Sequence, residues 1–126
     1  AWQPPGLDCA GMGAKMAHVC AGASAIFNLV RAEHGCAQSM KTYEIPACRG
    51  FMLTNRTDEQ LTLLEEDRHA VYYSTKDELL DKLRFYVAHE EARRRIAEAG
   101  WRKIQPETYT RRAAAVLEIY AQIRAS

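Results

Sequence analysis

Three short apolar runs separated by helix-forming segments, followed by a purely helical last third, predict an α/β fold. The expected architecture is a Rossmann-like short parallel sheet flanked by helices, with a helical C-terminal third. The runs are "AIFNLV", "FMLT" and "HAVYY". Strands that alternate with helices through short connections form βαβ units, and such units place their strands in parallel. At 126 residues, 48% apolar and 26% charged, the chain has the size and composition of one folded domain with one core.

Residues 1–10, opening on "AWQPPG", read as linker-like. The α/β part is expected over 11–75. It starts with "GMGAKMAHVCAGA", which is small and helix-compatible but lacks both the GxGxxG pattern and a strand before it, so it is no dinucleotide fingerprint. Ile26, Phe27, Leu29 and Val30 form a nearly continuous apolar run, the pattern of a strand buried on both faces. "RAEHGCAQ" is a loop, and Ser39 then stands at a helix N-cap. A helix follows from about Met40 to Cys48, kinked or shortened by Pro46 and ended by Gly50. "FMLT" is a second strand closed by Asn55. "DEQLTLLEED" is a helix with acidic residues in its first turn, as the dipole prefers, and "HAVYY" is a third strand.

The helical part is expected over 76–126. Thr75 and Glu78 fit a capping box, and Leu79, Leu83 and Tyr86 or Val87 recur on one face. In "HEEARRRIAEAG", Glu90 and Glu91 each stand four residues before an arginine, Arg94 and Arg95, and Gly100 is read as the stop. Trp101 is expected to pack the turn that follows. Pro106 suits the first turn of a final helix whose Tyr109, Ala113, Val116, Tyr120 and Ile123 make a stripe in need of a partner surface. Three strands are few for an open parallel sheet, which usually has about five or six. The chain is therefore expected to be a small variant of this class or the latter portion of a larger nucleotide-binding domain.

Composition excludes several functions. With 17 basic against 16 acidic residues, the net charge of +1 offers no bulk field for nucleic acid, and the Arg93 to Arg95 run reads as a solvated helix face. No transmembrane segment is expected, because His18 and Asn28 interrupt the stretch from Met16 to Val30. No signal peptide is visible, and a cytoplasmic location is expected. The cysteines at 9, 20, 36 and 48 form no CxxC pair and read as reduced thiols. His18 and Cys20 lack the second close pair that a metal site needs, so no metal is expected. No Ser, His and Asp arrangement stands out, and no catalytic residue is assigned.

The chemistry gathers at the helix that begins near Ser39. In a parallel sheet, ligands bind beyond the carboxyl ends of the strands, where the next helices start. The unpaired amides and positive dipole end of such a helix suit a phosphate, and Lys41 adds a full charge. Glu44, one turn later, is a natural acceptor for two ribose hydroxyls. On spacing alone, Lys41 and Glu44 read first as a solvated ion pair on a surface helix. Thr42, Asn28, Arg31 and His34 border the same edge as further candidates.

The segments "AIFNLV", "KTYEIPACRGFMLT", "AVYYSTKDELLDKLRFYVAHEEARRRIAEAGWRKI" and "TYTRRAAAVLEIY" together resemble, from Ala25 to Ile123, the C-terminal donor-nucleotide half of glycosyltransferases of the GT-B fold. The likeness is to the group-1 transferases related to spore maturation proteins. It implies a hexosyltransferase-type domain that binds a UDP- or GDP-linked sugar with no cofactor and no obligatory metal. Glu44 takes the place of the ribose-binding glutamate, with Lys41, Thr42 and Ser39 beside it. Lys41 stands where the family commonly has Arg, and Cys36 where related enzymes carry a sugar-contacting Glu. The resemblance also implies a missing N-terminal acceptor domain, without which this piece transfers nothing. The competing expectation is a non-catalytic α/β interaction module that docks a partner through its C-terminal amphipathic helix.

Overall fold

The computed structural model describes residues 14–31 and 38–126. In chain order the elements are α1 (Ala14–Gly22), β1 (Ile26–Asn28), α2 (Met40–Ala47), β2 (Met52–Asn55), α3 (Asp58–Leu63), β3 (Val71–Tyr73), α4 (Lys76–Ala88), α5 (Glu90–Ile104) and α6 (Tyr109–Ala125). The strands form one parallel sheet in the order β1-β2-β3, with Phe27 opposite Leu53 and Leu53 opposite Val71. The fold is thus mixed α/β with a short parallel sheet, as the alternation of apolar runs and helical segments requires.

Side chains alternate across a strand, so each face of the sheet has its own core. Met52 and Tyr72 lie on one face with Ile45 of α2, Cys20 of α1 and Leu64 after α3. Leu53, Val71 and Tyr73 lie on the other, under Leu79 and Tyr86 of α4 and Ile96 and Ala97 of α5. The two cores meet through α5, whose Ile96 belongs to one and Ile104 to the other. Between them Gly100 packs so closely that a Cβ there would lie 2.5 Å from the carbonyl oxygen of His69.

That contact corrects one expectation. Gly100 does not stop the helix. It lies inside α5, which continues to Ile104, and serves close approach to the segment that enters β3. Trp101 accordingly sits within α5 and not in a turn, with the Arg49 guanidinium 3.9 Å from its ring centre. The final helix also starts later than Pro106 implied. Thr108 is its N-cap, its hydroxyl accepting from the Arg111 amide at 3.2 Å, and Pro106 precedes it.

The expectation that the first strand is buried on both faces fails as well. Phe27 and Leu29 are 54% and 61% exposed, because among the described residues α4 and α5 cover Leu53, Val71 and Tyr73 on the face of Phe27 but not β1, and Leu29 lies past the strand, which ends at Asn28. Gly50 does not end α2 by its own backbone conformation. Arg49 adopts the left-handed region, with φ 57°, while a Cβ on Gly50 would strike Ile26 Cδ1 at 2.6 Å. Pro46 is tolerated inside α2, which ends at Ala47, within two residues of it.

Candidate functional site

The amino end of α2 opens at the carboxyl ends of β1 and β2, and a buried polar network fixes it there. Asn28, the last residue of β1, is 5% exposed. Its side-chain amide donates to the Thr54 hydroxyl at 3.3 Å and to Gln60 Oε1 at 3.5 Å, and its Oδ1 accepts from the Ser39 hydroxyl at 3.4 Å. Thr42 is fully buried; its hydroxyl donates to Gln60 Oε1 at 3.0 Å and accepts from the Ser39 amide at 3.4 Å. Thr54 donates to the same Gln60 oxygen at 3.2 Å, and the Gln60 amide donates to the Asn55 carbonyl at 2.8 Å. One glutamine in the first turn of α3 thus ties β1, β2 and α2 together.

Asn28 and Thr42 therefore face inward and hold the helix start in place. Ser39 is the N-cap, with extended backbone at φ −107°, and its carbonyl accepts from the Thr42 amide at 3.0 Å. Lys41 and Glu44 point outward and meet at 2.6 Å, their side chains 46% and 36% exposed. The Lys41 ammonium also lies 3.3 Å from Met16 Sδ on α1. Arg31 is exposed at the end of the first described segment. His34 lies outside the described residues, as do Cys9 and Cys36.

A hollow of about 470 Å³ runs along α2 from Ser39 to Ala47. Tyr43 and Glu44 form one wall, and Ile104, Glu107, Tyr109 and Arg112 form the other. The structure thus brings Ser39 and Glu44 together at one cavity, with Lys41 beside Glu44 but not in the wall. The sequence reading passed over Tyr43, Gln60 and Arg112, and took Tyr109 only as part of an apolar stripe. Gln60 reads as an ordinary polar residue in an acidic helix start, and nothing in its neighbours signals burial. Tyr109 and Arg112 are three residues apart and so share a helix face, a spacing that could have marked them.

Beyond β2 and β3 lies a charge cluster. Arg56 pairs with Glu66 at 2.6 Å and with Glu78 at 3.0 Å, and Lys82 reaches the same carboxylates at 3.2 and 3.0 Å. The Arg56 hydrogen bond, with the Ser74 amide and Lys82, draws the Glu78 carboxyl down to about 2. Arg56 is thereby committed to two carboxylates and is ill placed to receive a phosphate as well. Burial pushes the Cys20 thiol upward, away from nucleophilic use. Among the described residues no group of three or more His, Cys, Asp or Glu could hold a metal ion, and no helix is long and apolar enough to cross a membrane.

Residues 10–118 match the model of a family described as glycosyl transferase-like. No curated protein and no solved structure matches the chain.

Proposed function

This chain belongs to the glycosyl transferase-like family, so its chemistry is glycosyl transfer in general, and we propose that it binds a nucleoside diphosphate sugar at the amino end of α2. In this reading it is the donor half of a GT-B enzyme of the group-1 type. Glu44 accepts the two ribose hydroxyls, and Lys41 with the first amides of α2 faces the diphosphate. Ser39 lies beside them, and Thr42 and Asn28 hold the helix start. Positive charge at that helix end stabilises the diphosphate as it leaves, which is the electrostatic part of the reaction. A second domain supplies the acceptor and the catalytic base, and this chain without it binds the donor but transfers nothing.

The observation that carries the proposal is Glu44 in the wall of a cavity that begins at the N-cap of α2. The Lys41–Glu44 pair does not stand against it. Both side chains are more than a third exposed, and an exposed ion pair contributes only about 0.2–1 kcal/mol. Two hydroxyls donating to one carboxylate are charge-assisted bonds of larger worth and can displace it. Titration with UDP and with GDP, followed on the amides of residues 39–54, should give saturable shifts that Glu44→Ala abolishes. Unchanged binding in Glu44→Ala would rule the donor site out.

One observation favours a second reading. Val116, Leu117, Ile119, Tyr120 and Ile123 of α6 are between 56% and 68% exposed, which suits a module that docks a partner through this helix. Absence of any nucleotide binding would put that reading first.

A further inference from the structure

The hollow beside α2 is mostly apolar and aromatic, with Met40, Tyr43, Ala47, Ile104 and Tyr109 in its walls. Both of its carboxylates already have partners: Glu44 meets Lys41 at 2.6 Å, and Glu107 meets Arg111 at 3.0 Å and Arg112 at 3.8 Å. The one cation of the wall, Arg112, is shared with Glu107 and Tyr43, so the wall offers a diphosphate little. It suits an uncharged planar ring. The Arg112 guanidinium lies 4.7 Å from the centre of the Tyr43 ring, a flat cation on a flat face, and a stack of that kind accepts a further planar group. Tyr109, at 81% exposure, adds an aromatic side chain at the rim.

Resting on the donor-site reading above, we infer that this hollow takes the nucleobase of the donor, laid against the Tyr43–Arg112 stack and flanked by Tyr109. The ligand then divides along α2. The base enters the apolar, aromatic hollow, the ribose bonds Glu44 in its wall, and the diphosphate stays outside at Lys41 and the amino end of α2. The start of α6 thereby contributes base-binding residues to a site otherwise built on α2.

The test is titration of the full 126-residue chain with GDP, UDP and inorganic pyrophosphate, for wild type, Tyr109→Ala, Arg112→Ala and Glu44→Ala. Tyr109→Ala removes an exposed ring and leaves folding intact, which a melting curve checks. Loss of one stacking partner should weaken GDP and UDP about tenfold and leave pyrophosphate unchanged. If both nucleotides bind Tyr109→Ala and Arg112→Ala as they bind wild type, while Glu44→Ala loses them, the base lies elsewhere: the inference is overturned and the donor site stands. If Glu44→Ala also binds normally, the donor-site reading falls and the inference falls with it.

Discussion

Gln60 shows how much one buried polar residue governs here. It is fully buried, and its Oε1 accepts from Asn28, Thr42 and Thr54. Replacing it by an apolar residue strands several donors in the core, whereas replacing Thr42 removes one donor and leaves Gln60 with others. An unsatisfied buried polar group costs about 1–3 kcal/mol. Gln60→Leu should therefore destabilise by about 3 kcal/mol and Thr42→Val by about 1 kcal/mol, read from urea midpoints. Gln60→Leu should also weaken nucleotide binding although Gln60 touches no ligand in this reading, because the start of α2 loses its tie to β1 and β2. A Gln60→Leu variant as stable as wild type would mean that water or rearrangement satisfies the network. Gln60 was not legible in the sequence, since its burial depends on where the carboxyl ends of two strands fall. Ser39 and Thr75 were legible, because an N-cap needs only a short polar side chain before a helical period.

At the level of elements, the end of α2 shows why glycines were the hardest residues to read. The Gly50 amide donates to the Ile45 carbonyl at 3.0 Å and the Arg49 amide to Pro46 at 2.9 Å, the two bonds of a Schellman motif. Glycine would normally take the left-handed position, yet Arg49 holds it and Gly50 supplies room against Ile26 and Ile45. A glycine in sequence does not say whether it relieves backbone strain or steric crowding, and Gly100 was misread for the same reason. Arg49 bears a strain of about 1 kcal/mol, offset by its stack on Trp101, worth about 0.5–1 kcal/mol. Arg49→Gly removes both and should be near neutral. Arg49→Ala keeps the strain, loses the stack and should cost about 1 kcal/mol. Alanine proving at least as stable as glycine in urea would refute this account. The start of α4 carries a pH dependence. Glu78 falls from an ordinary 4.5 to about 2, first through its Arg56 hydrogen bond, and the same guanidinium lowers Glu66. The folded state thus holds these protons more weakly than the unfolded chain. The stabilisation is complete above about pH 4.5 and is lost as pH falls toward 2. Wild type should lose stability across that window more steeply than Glu78→Gln; parallel slopes would show that the cluster contributes nothing.

For the molecule as a whole, stability and exposed apolar surface are separated along the chain. Both cores lie within residues 20–104, whereas α6 has no buried residue. The alternation of apolar runs and helical segments made the α/β class legible. The openness of β1 was not, because which strands the helices cover is a tertiary fact, so Phe27 and Leu29 looked buried and are open. The stripe on α6 was legible as periodicity, and its exposure follows from this helix meeting the rest of the molecule near its start, where Arg112 lies over Tyr43. Charging the stripe should therefore leave the fold alone. A triple variant, Val116→Lys, Tyr120→Lys and Ile123→Glu, alters three side chains that are 64%, 56% and 68% exposed. Exposed substitutions usually change stability by less than about 0.5 kcal/mol each, so its melting temperature should stay within roughly 5 °C of wild type. Binding of a hydrophobic dye should fall, since three of the exposed apolar side chains of the helix are gone. Nucleotide affinity should be unchanged, because Tyr109 and Arg112 are untouched and the stripe lies beyond them. A cooperative loss of structure in the triple variant would instead mean that α6 folds back onto the body and that its apolar residues belong to the core.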